Sequence, residues 1–294
     1  MEFFPDGTHM RLRSRPTGGY LHADKDGAGV SLRPRARASL NAAWRVQRAA
    51  RYGGAYVLLQ GAAYGRYVAL SPSPGPGRRA VVQLDYDAPG MDAAIMWKAA
   101  RAVGGGAGAD DVLLRHFPAC YRRLRADGRC RVWRAGVTVD EHGGRSTMMQ
   151  WTVEVIPPMP APRLLPVPGP LLFPQHQCSI PLQQNLGGLL CRQQRTIRYV
   201  WADDHGRFDE LGWATFEFCG RSLFNLRAEV AHRAGKEISS GMTVCVRPGF
   251  YGRLTPLVID LPRSEDPMDI VVLTTWSPAN EELRYPDVDA PKGT

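Results

Sequence analysis

Trp44-Arg45-Val46, Trp97-Lys98-Ala99 and Trp151-Thr152-Val153 are one short strand written three times, at intervals of 53 and 54 residues. Three further pieces precede each tryptophan in a fixed order. The first is Arg11-Leu12-Arg13, Val57-Leu58-Leu59 and Val112-Leu113-Leu114 in the three copies. The second is Tyr20-Leu21-His22-Ala23, Tyr67-Val68-Ala69 and Leu124-Arg125-Ala126. The third is Val30-Ser31-Leu32, Val81-Val82-Gln83 and Val137-Thr138-Val139. Strands this short cannot bury a face alone, whereas three four-strand copies stacked about a pseudo-threefold axis can. The reading is an all-β trefoil over residues 1–156, with Trp44, Trp97, Trp151, Leu12, Leu58 and Leu114 as core markers.

The turns agree with that division. Asp26-Gly27 and Asp127-Gly128 follow the second strand of units one and three, and Asp-Gly supplies the positive φ of a tight hairpin. Unit two has the longer breaker Ser71-Pro72-Ser73-Pro74-Gly75-Pro76-Gly77 there. The glycines of 104–108 fall between units two and three and read as a linker. From Pro157 to Pro181, nine of 25 residues are proline. Proline lacks the backbone donor and fixes φ, so residues 157–190 read as an extended linker.

Beyond it the pattern changes. Thr196 to Val200 and Thr215 to Phe218 alternate like strands. Ser222 suits a helix N-cap, Leu223, Leu226 and Val230 form an apolar stripe, and Gly235 suits the position after the C-cap. Strands follow at 243–247, 257–261 and 270–274. Residues 191–278 therefore read as a small α+β roll of the ubiquitin-like kind, and 279–294 as a disordered polar tail.

Charge divides with the domains. The chain carries +9 overall. Residues 1–156 hold 23 Lys and Arg against 13 Asp and Glu, a surplus of +10, and the rest holds −1. Any attraction to an acidic partner therefore belongs to the first domain. Of the 37 basic residues 33 are Arg, in a chain also rich in Ala, Gly and Pro, so codon composition accounts for part of the excess. Arg11, Arg13 and Arg15 alternate around Leu12 and Ser14, which places them on one strand face. Arg33, Arg35 and Arg37 repeat the spacing, and unit three adds Arg122, Arg123, Arg125, Arg129, Arg131 and Arg134. These form the expected binding surface.

Signs of chemistry are few. The Gly104–Gly108 run lacks the Lys-Ser/Thr of a phosphate loop, and no GxSxG elbow occurs. Asp140-Glu141-His142 reads as a solvated turn. His22 stands where the other units carry Ala69 and Arg125, which suggests tolerance. None of the six cysteines forms a CxxC pair or sits at zinc spacing to histidine, so they read as free thiols in a reducing compartment. No metal, cofactor or catalytic residue is expected. The start, MEFFPDGTHM, has no secretory pattern, and no run approaches membrane-span length, so the expected location is the cytoplasm, with the nucleus as alternative.

MEFFPDGTHMRLRS, YLHADKDG and SLNAAWRV resemble the start of a plant family with a fascin-like, actin-cross-linking-like β-trefoil. YGRYVAL from Tyr64 and VWRAGVTVD from Val132 resemble its second and third units. CVRPGFYGRLTPLVIDLP from Cys245 and DIVVLTT from Asp269 resemble the ubiquitin-like domain attached in many members. The resemblance implies a trefoil and a cytosolic protein; its link to actin is fold analogy. The combined expectation is a non-enzymatic adaptor. Its basic trefoil docks an acidic protein, with F-actin one candidate, and its ubiquitin-like module holds a second protein. The alternatives are a small-ligand or carbohydrate-binding trefoil, or a nucleic-acid or anionic-lipid binder. A ricin-type sugar site needs Gln two residues before the repeat Trp, and Ala42, Ile95 and Met149 stand there.

Overall fold

The computed structural model describes residues 3–73, 79–87, 92–102, 111–119, 121–127, 136–140, 146–160, 193–235 and 241–291. Unit one comprises β1 (His9–Ser14), β2 (Tyr20–Ala23), β3 (Val30–Arg33) and β4 (Trp44–Arg51). Unit two comprises β5 (Gly54–Gly61), β6 (Tyr67–Leu70), β7 (Arg79–Leu84) and β8 (Trp97–Arg101). Unit three comprises β9 (Asp111–His116), β10 (Arg123–Ala126), β11 (Val137–Asp140) and β12 (Trp151–Ile156). The first and fourth strands of each unit pair in an antiparallel ring, β1-β4-β5-β8-β9-β12, which closes because β12 returns to β1. The middle strands form three hairpins that cap the ring. They meet about the axis through Gly29 opposite Val82, Ser31 opposite Gly136, and β7 beside β11.

Each repeat tryptophan is fully buried and donates its indole N–H to a carbonyl of its own unit's second strand. Trp44 reaches Leu21 O at 3.0 Å, Trp97 reaches Val68 O at 2.9 Å, and Trp151 reaches Leu124 O at 3.1 Å. These bonds fix the equivalence of the units and place His22, Ala69 and Arg125 in register, as the repeat predicts. A short helical turn precedes each tryptophan. Ser39 caps Leu40–Ala42 and Ser146 caps Thr147–Met149, and unit two has α1 (Asp92–Ile95) instead. The serine stands five residues before the tryptophan in units one and three, a signal that was present in the sequence. Leu12 and Leu114 lie in the ring core with Met10, Val57, Leu59 and Val112. Leu58 does not. It is buried in a second cluster with Tyr56, Tyr67, Tyr86 and Met96 on the outer face, and Leu59 takes the inward place.

The second domain comprises β14 (Gln194–Trp201), β15 (Ala214–Cys219), α2 (Leu223–Arg233), β16 (Met242–Val246), β17 (Thr255–Pro256) and β18 (Met268–Thr274), after β13 (Pro158–Met159). The sheet order is β15-β14-β18-β16-β17, with β14 and β18 parallel. Leu223, Leu226 and Val230 of α2 pack on Ile197, Phe216, Val244 and Ile270. Ser222 Oγ accepts from Asn225 N, and Gly235 takes φ +64° after the helix. The strand expected at 257–261 lies two residues earlier, at β17. Cys219 is disulfide-bonded, which overturns the free-thiol expectation at that position, and its partner lies outside the described residues. Cys245 is a buried free thiol, pushed up to about 12 by burial.

Residues 279–291 are ordered, contrary to the tail expectation. Ser277 caps α3 (Pro278–Glu281), with Pro278 preset for the first turn. β19 (Tyr285–Pro286) then pairs with β13, so the proline-rich stretch opens as a strand and the expected linker start at 157 is displaced. Tyr285 and Ala290 are buried, and Asp287 N donates to Pro157 O at 2.9 Å.

The two domains pack together. The loop after β16 lies on unit two. Tyr86 N donates to Pro248 O, and Tyr251 N donates to Tyr86 O, both at 2.8 Å. Arg66 sits between the halves. Its guanidinium donates to Gly27 O at 3.0 Å and pairs with Asp266 at 3.1 Å and Asp85 at 3.2 Å. Arg253 pairs with Asp6 at 3.3 Å.

Candidate functional site

Cross-strand register builds three equivalent outward rows on the trefoil, because directly opposed residues share a sheet face. Unit one's row is Thr152, Arg13, Tyr20, Arg33. Unit two's row is Arg45, Gln60, Tyr67, Leu84. Unit three's row is Lys98, Arg115, Arg123, Asp140. The tyrosines of the first two rows behave alike. Tyr67 donates to Gln47 Oε1 at 2.9 Å, and Tyr20 donates to Glu154 at 3.2 Å. Gln47 and Glu154 both stand three residues after a repeat tryptophan.

Unit two's row is occupied by the second domain. Gln60 Nε2 donates to Arg253 O at 2.7 Å, and Arg253 N donates to Tyr67 Oη at 3.1 Å. One backbone residue is thus read by a side-chain donor and an acceptor together. Burial pushes the Tyr67 phenol up to about 12, so it stays protonated.

On unit one the cover lies beside the row, at Arg11. The alternation reading puts Arg11 and Arg13 outward beside Leu12, as observed, but Arg11 is not a free surface residue. It is 1% exposed, and its guanidinium donates to Val288 O at 2.6 Å. Burial holds it below the ordinary guanidinium range, and nearby Arg37 lowers it further. Arg13 donates to Gly18 O, and Arg15 pairs with buried Asp111. Arg33 faces Asp24 at 3.5 Å, Arg35 is exposed in the following turn, and Arg37 lies 3.9 Å from Glu154. In unit three Arg125 is held by Asp140 at 2.8 Å and Asp127 at 3.2 Å, and belongs to the hairpin. Arg122 lies 5.7 Å over the Tyr121 ring. Arg123 is half-buried in the row. Arg129, Arg131 and Arg134 lie outside the described residues, as do Glu141 and His142. The expected single arginine face is therefore two basic rows, on units one and three. Sequence reasoning missed Lys98 and Arg115, whose adjacency arises only from pairing across β8 and β9.

Ala42, Ile95 and Met149, where a ricin-type site needs Gln, are buried core residues. Among the described residues no group of three His, Cys, Asp or Glu is placed to hold a metal, and no helix is long and apolar enough to cross a membrane.

His9, opposite Arg45 at the edge of β1, supplies a pH test. Burial and the Arg45 charge push it down to about 3. The unfolded chain therefore binds a proton between pH 6.5 and 3 that the folded chain refuses, so stability falls as pH drops through that window. Between pH 7 and 5 the expected loss from His9 is about 2 kcal/mol. Asp85 and Asp269, raised by burial, act with the opposite sign. Urea midpoints of parent and His9→Gln across that range isolate the histidine, and the variant should show the flatter pH profile.

No curated protein matches the chain. Among solved structures, a Macrolepiota procera ricin B-like lectin in complex with lactose is 15% identical, with TM-score 0.38, and the match covers 51% of this chain and 96% of the lectin. The SDF2-like protein from Arabidopsis thaliana is 20% identical, with TM-score 0.40, covering 51% and 93%. Residues 193–273 match the DUF569 associated ubiquitin-like domain. Residues 1–156 match the β-trefoil domain of unknown function DUF569, and the chain belongs to that family.

Proposed function

We propose that the chain is a non-enzymatic binding and adaptor protein whose basic trefoil docks an acidic partner, with F-actin the first candidate. The observation that carries this reading is the pair of basic rows on units one and three of a domain with a +10 surplus. Guanidinium groups at such spacing favour carboxylates over neutral ligands. The ubiquitin-like module uses its β16–β17 loop on the trefoil and leaves Leu211 and Trp276 exposed, at 93% and 83%, as contacts for a second protein. Surface attraction of this kind is screened by salt. The chain should co-sediment with F-actin at about 0.03 M salt and stay in the supernatant at about 0.5 M, where the Debye length is about 4 Å. No pelleting at low salt would remove actin as the partner, and salt-insensitive pelleting would remove the electrostatic basis.

A further inference from the structure

Among the described residues, units one and two each hold polypeptide from elsewhere in the same chain on their outward strand faces. On unit two, the loop at Arg253 is read by Gln60 and Tyr67. On unit one, Arg11, two residues before Arg13 on the same strand face, holds Val288 O. The Arg11 position corresponds to Leu58 in unit two, since Arg11 opposes Glu154 as Leu58 opposes Gln47. The third copy of this position is Leu113, which opposes Ala100. Unit one therefore meets backbone at the Arg11 position, and unit two meets it at Gln60 and Tyr67, two residues further along the same strand face.

Unit three carries the same surface with its polarity changed. Arg115 stands in the place of Gln60, and Arg123 in the place of Tyr67. Gln60 offers a donor to a peptide carbonyl, and Tyr67 offers an acceptor to a peptide N–H. In unit three both places hold guanidinium groups, which only donate. Lys98 is exposed beside Arg115, Leu113 is half-buried, and Arg115 Nε is buried without a hydrogen-bond partner among the described residues. A segment docked at these two places must bring acceptors, and with Lys98 beside them charged ones are favoured; Asp140, at the end of the row, is paired with Arg125 at 2.8 Å.

From this we infer that the row Lys98, Arg115, Arg123 on unit three is a docking site for an extended acidic segment of a partner protein, bound as unit two binds the loop at Arg253. The inference rests on the reading of the trefoil as a docking module and assigns that role to one face. Unit one's row is the weaker site, because Val288 already lies against Arg11 beside it and Asp24 offsets Arg33.

The test uses the full chain and a fluorescein-labelled decaglutamate peptide, followed by anisotropy at low salt. Lys98→Glu with Arg115→Glu should weaken binding at least tenfold, while Arg33→Glu with Arg35→Glu should change it less than threefold. Lys98, Arg33 and Arg35 are exposed and Arg115 is half-buried, and near-UV circular dichroism checks the folding of both variants. Should the Arg115 variant misfold, Lys98→Glu alone should still weaken binding, by about threefold. Equal weakening by both pairs, or a larger effect from the unit-one pair, overturns the assignment to unit three while leaving an acidic partner in place. Absence of binding to the parent, to the peptide and to F-actin alike overturns the docking reading together with it. A stoichiometry that rises with chain concentration alone would identify a second copy of the chain as the occupant and overturn the acidic-partner assignment.

Discussion

Replacing Gly249 with alanine is expected to undock the ubiquitin-like domain from the trefoil. Gly249 has φ +83°, and a Cβ there would lie 2.5 Å from the Tyr86 carbonyl carbon and 2.6 Å from its nitrogen. The left-handed backbone alone costs an L residue about 1–2 kcal/mol. The steric overlap is with backbone, so no side chain can turn aside, and the loop must withdraw. That withdrawal removes the two hydrogen bonds between Tyr86 and the loop and separates the Tyr86 and Tyr251 rings, now 5.5 Å apart. At about 1 kcal/mol per hydrogen bond, the total is roughly 3–5 kcal/mol of docking energy. Calorimetry should show one unfolding transition in the parent and two in the variant. A single unchanged transition would mean that the domains do not depend on this contact.

The second large effect is expected at the repeat tryptophans. Each of Trp44, Trp97 and Trp151 is 0% exposed and satisfies one buried carbonyl. Truncation to alanine removes the ring, at about 3–5 kcal/mol, and orphans the carbonyl, at about 1–3 kcal/mol. Domains of this kind have about 5–15 kcal/mol in total, so any one of the three should leave the trefoil unfolded or marginal. Phenylalanine at the same places keeps most of the volume and should lose chiefly the hydrogen bond. Because the bonds are equivalent, the three phenylalanine variants should have similar urea midpoints. A variant that keeps the parent midpoint would show that its unit does not share in the threefold core.

The parts legible in the sequence are those set by local pattern. The tryptophan interval, the Asp-Gly turns and the alternation around Leu12 report strand order and facing within one segment. Val57-Leu58-Leu59 shows where that stops. Three adjacent apolar residues carry no period-two signal, so the inward place could not be told from Leu58 or Leu59; the outer face is apolar because Tyr86, Met96 and the Tyr251 loop cover it. Arg11 is the same limit at longer range. Its outward direction is readable, but its cover comes from Val288, 277 residues away. Polar Asp287 and Asp289 made that segment look unstructured, although Ser277-Pro278 announced the helix that leads into it. The basic row of unit three is assembled from one residue on each of three strands, so no window of sequence contains it.

Amide hydrogen exchange of the full chain with and without decaglutamate locates the docking surface. Added protection is expected in β8, β9 and β10, at 97–101, 111–116 and 123–126, with β14 and β15 unchanged. Protection confined to the ubiquitin-like domain, or none anywhere at saturating peptide, would contradict it.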